Sequence, residues 1–169
     1  MIRFILVLIQ ILLFFLLQST VMPAFALAGT VPDLLLILVI TVAYTRGRIS
    51  GMLTGLCAGL LTDLFFNDII GVCALFYLTI GYCAGFARKI YEEKDYGFPI
   101  LLIAAGEFLY SFACYVVYFL LRSRTEIGFY FFHLILPRMI YTVLVALVLY
   151  PLLHGLHRLL LRLEKKEDF

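Results

Sequence analysis

The sequence contains little charge and no long polar stretch. Of its 169 residues only 14% are charged, whereas 64% are hydrophobic, and the mean hydropathy is +1.09. Soluble domains are usually about 45–50% apolar, so a buried core alone does not account for this excess. We therefore expect lipid to cover much of the apolar surface, with no room left for a soluble catalytic domain.

Cysteine pairs and recognisable catalytic motifs are also missing. The net charge of +2 gives no indication of nucleic-acid binding. No CxxC pair occurs and no cysteine has a nearby histidine, which argues against a disulfide framework or a zinc site. Neither GxSxG, a P-loop nor HExxH is present, and no serine has a plausible base. We expect a protein that is not an enzyme and that holds no cofactor or metal. The cysteines, all inside apolar runs, are Cys57, Cys73, Cys83 and Cys114.

What the sequence does contain is a series of apolar segments. A membrane-spanning helix needs roughly 20 mostly apolar residues, so this length can hold about six. The segments cover about residues 4–21, 30–45, 49–66, 69–87, 98–121 and 130–153, and the last can continue to Leu163 as a helix that leaves the membrane. The second is short for a full span. The expected fold is an all-α integral membrane protein, a single domain over residues 1–169 built as a compact bundle of about six transmembrane helices.

The basic residues predict the orientation, because cytoplasmic loops of membrane proteins are enriched in lysine and arginine. With both termini in the cytoplasm, only Arg122, Arg124 and Arg138 of the 13 Lys and Arg residues lie outside or at the outer end of a helix. This bias supports six spans in the cytoplasmic (inner) membrane. The basic residues on the inner side are Arg3, Arg46, Arg48, Arg88, Lys89, Lys94, Arg158, Arg162, Lys165 and Lys166.

The N-terminal segment has a competing interpretation. Arg3, an apolar run and then Ala26-Leu27-Ala28 are similar to a secretory signal with a cleavage site. An uncleaved anchor fits better, because the run is long for a signal and its removal would leave an odd number of spans.

Glycines at four-residue spacing indicate close helix packing. Gly51, Gly55 and Gly59 share one face of the third segment, and Gly81 and Gly85 repeat the spacing in the fourth. Helices in lipid associate through small residues that let their backbones approach. The pattern predicts packing of the third helix against the fourth, with docking of a partner's helix as the alternative.

Two carboxylates inside apolar segments need compensation, because charge is costly in a membrane. Asp63 lies near the end of the third helix, where the helix dipole disfavours negative charge, and its depth matches that of Arg138. We hypothesise an Asp63–Arg138 pair; the simpler alternative is a solvated, interfacial Asp63. Glu107 lies in the middle of the fifth helix, where it could line a cavity, bond a Tyr or Ser on another helix, or face a partner protein. A proton relay would need several such groups in series, so transport by that route is weakly supported.

The remaining polar positions have structural explanations. Pro32 and Asp33 open the second helix, since proline suits a first helical turn and a carboxylate there complements the dipole. Pro137 lacks an N–H and is expected to kink the start of the last helix. His154 and His157 lie near the inner end of that helix, three residues apart, where we expect them to face lipid headgroups. A two-histidine metal site is the alternative, but it lacks a third ligand.

The region from Pro32 to Gly85 resembles a known family. Pro32-Asp33-Leu34-Leu35-Leu36, then Arg46-Gly47, the run from Gly51 through Gly59-Leu60-Leu61-Thr62-Asp63-Leu64, and finally Gly71 and Gly81-Tyr82 are similar to the pattern of the rod shape-determining protein MreD family. The resemblance covers nearly the whole chain in length and layout, although the second half matches only in hydropathy.

The resemblance implies a non-enzymatic membrane scaffold of the bacterial cell-elongation machinery, contributing to rod shape and peptidoglycan synthesis. Its partners would be MreC, the RodA glycosyltransferase and a class B penicillin-binding protein, with the MreB filament reached indirectly. It also implies a fold similar to the substrate-binding (S) components of vitamin transporters, which supplies the alternative function, a small-molecule-binding subunit of an importer. A vitamin binder needs several convergent polar groups. Intramembrane Asn, Gln and His are few here, with Gln10 and Gln18 on the first helix the main exceptions, which favours the scaffold.

Overall fold

The computed structural model describes residues 2–26, 29–66, 68–90, 97–120 and 126–167, and the regular elements in these ranges are helices. Leu27, Ala28, Lys94, Arg122 and Arg124, which enter the arguments on the signal and on the orientation, lie outside the described residues. The helices are α1 (Ile2–Leu16, continued by a π-helical turn, Leu17–Val21, and a 3₁₀ turn, Met22–Phe25), α2 (Leu34–Arg46), α3 (Arg48–Phe66), α4 (Val72–Ala87), α5 (Gly97–Tyr115, continued by a π-helical turn, Val116–Leu120), α6 (Ile127–Tyr130) and α7 (Leu136–Glu167), with a π-helical turn, Phe131–Ile135, between α6 and α7.

In the described part of the chain these elements form six continuous helical segments, as the sequence predicts. Four are long and apolar enough to cross a membrane: Ile2–Phe25, Arg48–Phe66, Gly97–Phe119 and Gly128–Lys166. The other two, α2 and α4, are apolar but have only 13 and 16 residues. At about 1.5 Å per residue they measure about 20 and 24 Å, less than a hydrocarbon core of about 30 Å. Six complete spans therefore remain a prediction from the sequence.

The short helix α2 lies at the centre of the bundle. Every residue from Leu34 to Tyr44 is buried, and α2 contacts α1, α3, α4, α5 and α7. An apolar surface on all sides suits a helix in such an enclosed position. Since protein rather than lipid covers it, α2 does not have to match the full thickness of a bilayer.

A single residue, Gly47, separates α2 from α3. Its φ of +104° lies in a region that side chains with a Cβ rarely adopt, so glycine is required there. The tight reversal places the end of α2 and the beginning of α3 side by side, which brings Arg46 and Ser50 to one end of the bundle.

The last helix is longer than the expected segment and begins with a distortion. Pro137 cannot donate to the carbonyl one turn earlier, and the turn directly before α7 is π-helical. Such a bulge accommodates the missing hydrogen bond while the helix continues. From there α7 runs to Glu167 and carries a second proline, Pro151, in its interior.

Candidate functional site: a buried ionic cluster

Asp33 is the centre of a buried group of polar side chains. Its carboxylate accepts a hydrogen bond from the backbone N–H of Leu36 at 3.1 Å, which makes it the N-cap of α2. The same carboxylate accepts from the Tyr77 hydroxyl on α4 at 2.5 Å and lies 3.4 Å from Nη2 of Arg138 on α7. The Asp33 N–H donates to the Thr142 hydroxyl at 3.3 Å. Asp33 is therefore more than a helix cap, since it joins α2 to α4 and α7.

Arg138 also neutralises the carboxylate in the middle of α5. Its Nε lies 2.8 Å from Oε1 of Glu107, whose side chain is fully buried, while the Arg138 side chain is 33% exposed. The guanidinium lies over the ring of Tyr110, 5.6 Å from its centroid, and Tyr110 stacks on Tyr77. Ser111 reaches Glu107 only at 3.5 Å. The main contact of Glu107 is none of the three environments expected from the sequence. The structure pairs its carboxylate with an arginine on another helix.

These residues, which we call the ionic cluster (Asp33, Tyr77, Glu107, Tyr110 and Arg138), connect α2, α4, α5 and α7. Two carboxylates share one guanidinium, so the cluster has one negative charge too many if both are ionised. A buried charge without a partner is strongly destabilising, whereas a paired one holds its helices in a fixed register. The arrangement is suited to cross-linking helices.

The expected Asp63–Arg138 pair is not formed. The Asp63 carboxylate instead accepts hydrogen bonds from the backbone N–H groups of Gly71 at 2.9 Å, Cys73 at 3.2 Å and Ala74 at 3.1 Å. It thus caps the N-terminus of α4 from the end of α3. The favourable dipole of α4 offsets the unfavourable dipole of its own helix. The pairing hypothesis was wrong because depth alone does not fix which face of a helix a side chain occupies.

The glycines of α3 lie against α4, the helix pair with the most extensive contact in the described residues. A Cβ on Gly55 would fall well inside van der Waals contact of the Tyr77 carbonyl oxygen, and one on Gly81 would strike the backbone of Gly51. Gly59 meets the backbone of Ala74 in the same way. Because α4 covers this stripe, it is not available to a partner's helix.

Gly85 completes the contact at the other end of α4, where a Cβ would strike the backbone of Arg48. Pro32 is buried and directly precedes the N-cap Asp33.

The two histidines of α7 are placed differently from expectation. His154 is 6% exposed and His157 is fully buried, so neither faces headgroups. No group of three or more His, Cys, Asp or Glu side chains within the described ranges could hold a metal ion.

The glutamines of α1 have distinct surroundings. Gln18 accepts from the Leu35 N–H at 3.1 Å and so helps to cap α2. Gln10 is buried, and its Oε1 has no hydrogen-bond partner among the residues described. Neither belongs to the ionic cluster.

Sequence reasoning missed the cluster, although each member is visible in the sequence. The signal that could have found it is the position of Asp33, a carboxylate directly before an apolar segment, where charge is costly without a partner. Its countercharge then has to come from another apolar segment, and Arg138 is the basic residue that lies within one.

The fold and the cluster define a class: an all-helical membrane protein whose helices are joined by a buried ionic cluster and by glycine packing. The family follows from a direct comparison, because the family model of the rod shape-determining protein MreD matches residues 1–160 of the chain. The chain belongs to the MreD family, and it therefore has a role in determining cell shape. No curated protein and no solved structure matches the chain.

Proposed function

We propose that the chain is a non-enzymatic scaffold of the bacterial cell-elongation machinery, which crosses the cytoplasmic membrane several times with both ends inside. It would bind MreC and assemble the wall synthases, namely the RodA glycosyltransferase and a class B penicillin-binding protein. The MreB filament would be reached indirectly through these partners. Rod shape and peptidoglycan synthesis would depend on this assembly.

The observation that carries the proposal is that the buried polar side chains of the ionic cluster contact one another. Asp33 and Glu107 both pair with Arg138, and Tyr77 donates to Asp33, so that these side chains hold four helices together. None of them lines the cavity of about 430 Å³ that the structure contains elsewhere. A protein that works through its outer surface needs a bundle of fixed shape, and polar groups committed to internal contacts supply that shape.

The alternative, a small-molecule-binding subunit of a vitamin-type importer, has the cavity in its favour, because its volume lies in the range of ligand pockets, about 300–1,000 Å³. The position of the cavity argues against it. Arg3, Arg46 and Arg88 line the cavity, and on the predicted orientation these residues lie at the cytoplasmic side. An importer subunit has to take its ligand from the opposite side.

A proton-coupled transporter is the third class, and it would depend on Glu107. That carboxylate is fully buried against Arg138, and a relay would need further groups in series toward both surfaces. Glu107→Gln would abolish proton-coupled transport, whereas a scaffold carrying it would retain its partners.

Co-purification from the native bacterium tests the proposal. The full chain is tagged at its C-terminus, solubilised gently and isolated, and the proteins recovered are quantified against a tagged, unrelated multi-pass protein. Enrichment of MreC and the wall synthases, retained in the Glu107→Gln variant, is the expected result. Enrichment of ATPase subunits and a transporter coupling protein instead would overturn the scaffold and support the importer.

A further inference from the structure

A cavity of about 430 Å³ lies at the end of the bundle opposite Asp63, between α1, the α2–α3 turn and the last turns of α7. Three arginines from separate helical segments line it: Arg3, Arg46 and Arg88. The Arg88 guanidinium lies beside the turn at Gly47, since a Cβ there would be 3.8 Å from its Nη1. The cavity is lined neither by the ionic cluster nor by the α3 glycines that pack against α4, Gly51, Gly55 and Gly59.

The lining is polar at one end and apolar at the other. Hydroxyl groups accompany the arginines, from Thr45 and Ser50 on either side of the turn. Ile11 lies eight residues beyond Arg3 on α1, and Cys57 lies seven residues beyond Ser50 on α3, so the lining extends about 10–12 Å into the bundle. A ligand that fits both ends is an amphiphile with an anionic head and an apolar chain.

Glu164 on α7 supplies negative charge close to Arg3 and Arg46. Arg3 Nε pairs with Oε2 of Glu164 on α7 at 2.7 Å, and the Arg3 side chain remains 64% exposed. The Nε of Arg46 is buried and has no hydrogen-bond partner in the described part of the chain. Buried donors in proteins nearly always have an acceptor. A ligand that supplies an acceptor would satisfy the Nε donor of Arg46.

Phosphate is the acceptor that best fits these side chains. A guanidinium is planar and can give two parallel hydrogen bonds to a phosphate, and it is more weakly hydrated than an ammonium group. On the proposed orientation, the arginines lie at the cytoplasmic surface, where anionic lipid headgroups attract basic residues. Lipid is also the amphiphile present at the highest local concentration beside such a cavity.

We propose that this cavity binds one anionic phospholipid of the cytoplasmic leaflet. Arg46, with Arg3 and Arg88, holds the phosphate, and the beginning of one acyl chain lies along Ile11, Leu53 and Cys57. The inference rests on the orientation given under the proposed function, but not on the partners named there. Binding to the isolated chain can therefore fail while partner recovery succeeds, and the reverse.

The test is a lipid titration of the delipidated full chain, followed by native mass spectrometry in detergent. The probes are phosphatidylglycerol, phosphatidylcholine with the same acyl chains, and glycerol phosphate, which has a phosphate head and no chain. One phosphatidylglycerol is expected to bind about tenfold more tightly than phosphatidylcholine, since each basic residue at a membrane surface favours an anionic lipid. Equal binding of the two lipids would overturn the proposal.

Matched variants locate the site. Arg46→Gln is expected to weaken phosphatidylglycerol binding about tenfold, because it removes charge-assisted hydrogen bonds. Arg162→Gln is the control, since Arg162 is an exposed arginine of α7 that does not line the cavity. Arg3→Gln, at a side chain that is 64% exposed, is expected to weaken phosphatidylglycerol binding as well. Equal loss in the control and in Arg46→Gln would show general surface attraction and overturn the site.

Glycerol phosphate separates a lipid from a soluble phosphate compound. If the lipid is the ligand, glycerol phosphate does not displace phosphatidylglycerol at equal concentration, because it lacks the chain that fills the apolar end. Displacement at equal concentration would mean that the site recognises the phosphate alone, and the lipid assignment would be wrong.

Discussion

Arg138 and Glu107 form an ion pair of 2.8 Å between α7 and α5, and the same guanidinium reaches Asp33 at the N-terminus of α2. One cation thus serves two buried carboxylates. The three residues are not equivalent, because removing the cation leaves two unpaired negative charges, whereas removing Glu107 leaves a balanced pair.

Arg138→Gln is expected to be the most damaging single substitution in the ionic cluster. Breaking a buried pair by removing one partner costs about 3–5 kcal/mol, and here two carboxylates lose their partner. Glu107→Gln should cost much less. The stability of both variants is measured by heating a fluorescently tagged chain and recording how much of it remains in the monodisperse peak on size-exclusion chromatography. A variant ranking in which Glu107→Gln is the worse of the two would contradict the shared-cation arrangement.

The double variant Glu107→Gln/Arg138→Gln provides the check on coupling. It should be more stable than the sum of the single effects predicts, because contacting residues in one network are not additive. Strict additivity would mean that the two side chains do not interact.

Gly55→Ala is expected to destabilise the α3–α4 pair. The added Cβ would strike the Tyr77 carbonyl oxygen, which is backbone and cannot rotate away. Overpacking of this kind typically costs about 1–3 kcal/mol. Gly155→Ala is the matched control, because a Cβ there has nothing within 4 Å and alanine favours a helix. The same heating assay should show a loss for the first and no loss for the second.

Asp63→Ala is expected to weaken the start of α4. Three backbone N–H groups lose their acceptor, at about 1–3 kcal/mol for each group left buried without one. Asp63→Asn keeps one carbonyl oxygen and should lose less. Backbone amide exchange of α4 measured by mass spectrometry reports this locally, with protection reduced near Cys73 and Ala74. If exchange changes in α7 rather than α4, the capping role is wrong.

The six-span topology predicts which connections are accessible from each side. Single cysteines at Lys94 and Arg124, in a chain whose own cysteines are replaced by serine or alanine, should react differently with a membrane-impermeant thiol reagent on intact cells. Arg124→Cys should be labelled from outside, and Lys94→Cys only after lysis. If both are labelled from the same side, α5 does not span. If the two results are reversed, with Lys94→Cys labelled from outside and Arg124→Cys only after lysis, an odd number of the preceding segments fails to span or the orientation argument is wrong.

The local features of the fold could be predicted from the sequence, and the long-range ones could not. The four-residue spacing of Gly51, Gly55 and Gly59 predicts a small-residue face because helical periodicity is local, and six helical segments follow from six apolar runs. The partners of Asp33 could not be predicted in this way, because Tyr77 and Arg138 lie 44 and 105 residues away in the sequence. Spacing carries no information on such a contact until the arrangement of the helices is known.

The contacts of Asp63 also could not be predicted, although its partners are much closer in the sequence. Both its carboxylate and the three N–H groups it accepts from lie within about a dozen residues, yet depth in the membrane suggested Arg138. The decisive fact is the direction of the side chain around the helix axis, which depends on how tightly α3 and α4 pack. The glycines that set this packing were visible, but their consequence for Asp63 was not.

The order of synthesis separates the carboxylate of Asp33 in time from the single guanidinium of the cluster. Asp33 precedes Arg138 by 105 residues, which at about 5–20 residues per second is roughly 5–20 s of translation. Throughout that interval the central helix has its acidic cap but not the cation that balances it. The charge of the central helix cap is therefore balanced within the bundle only after α7 has been made.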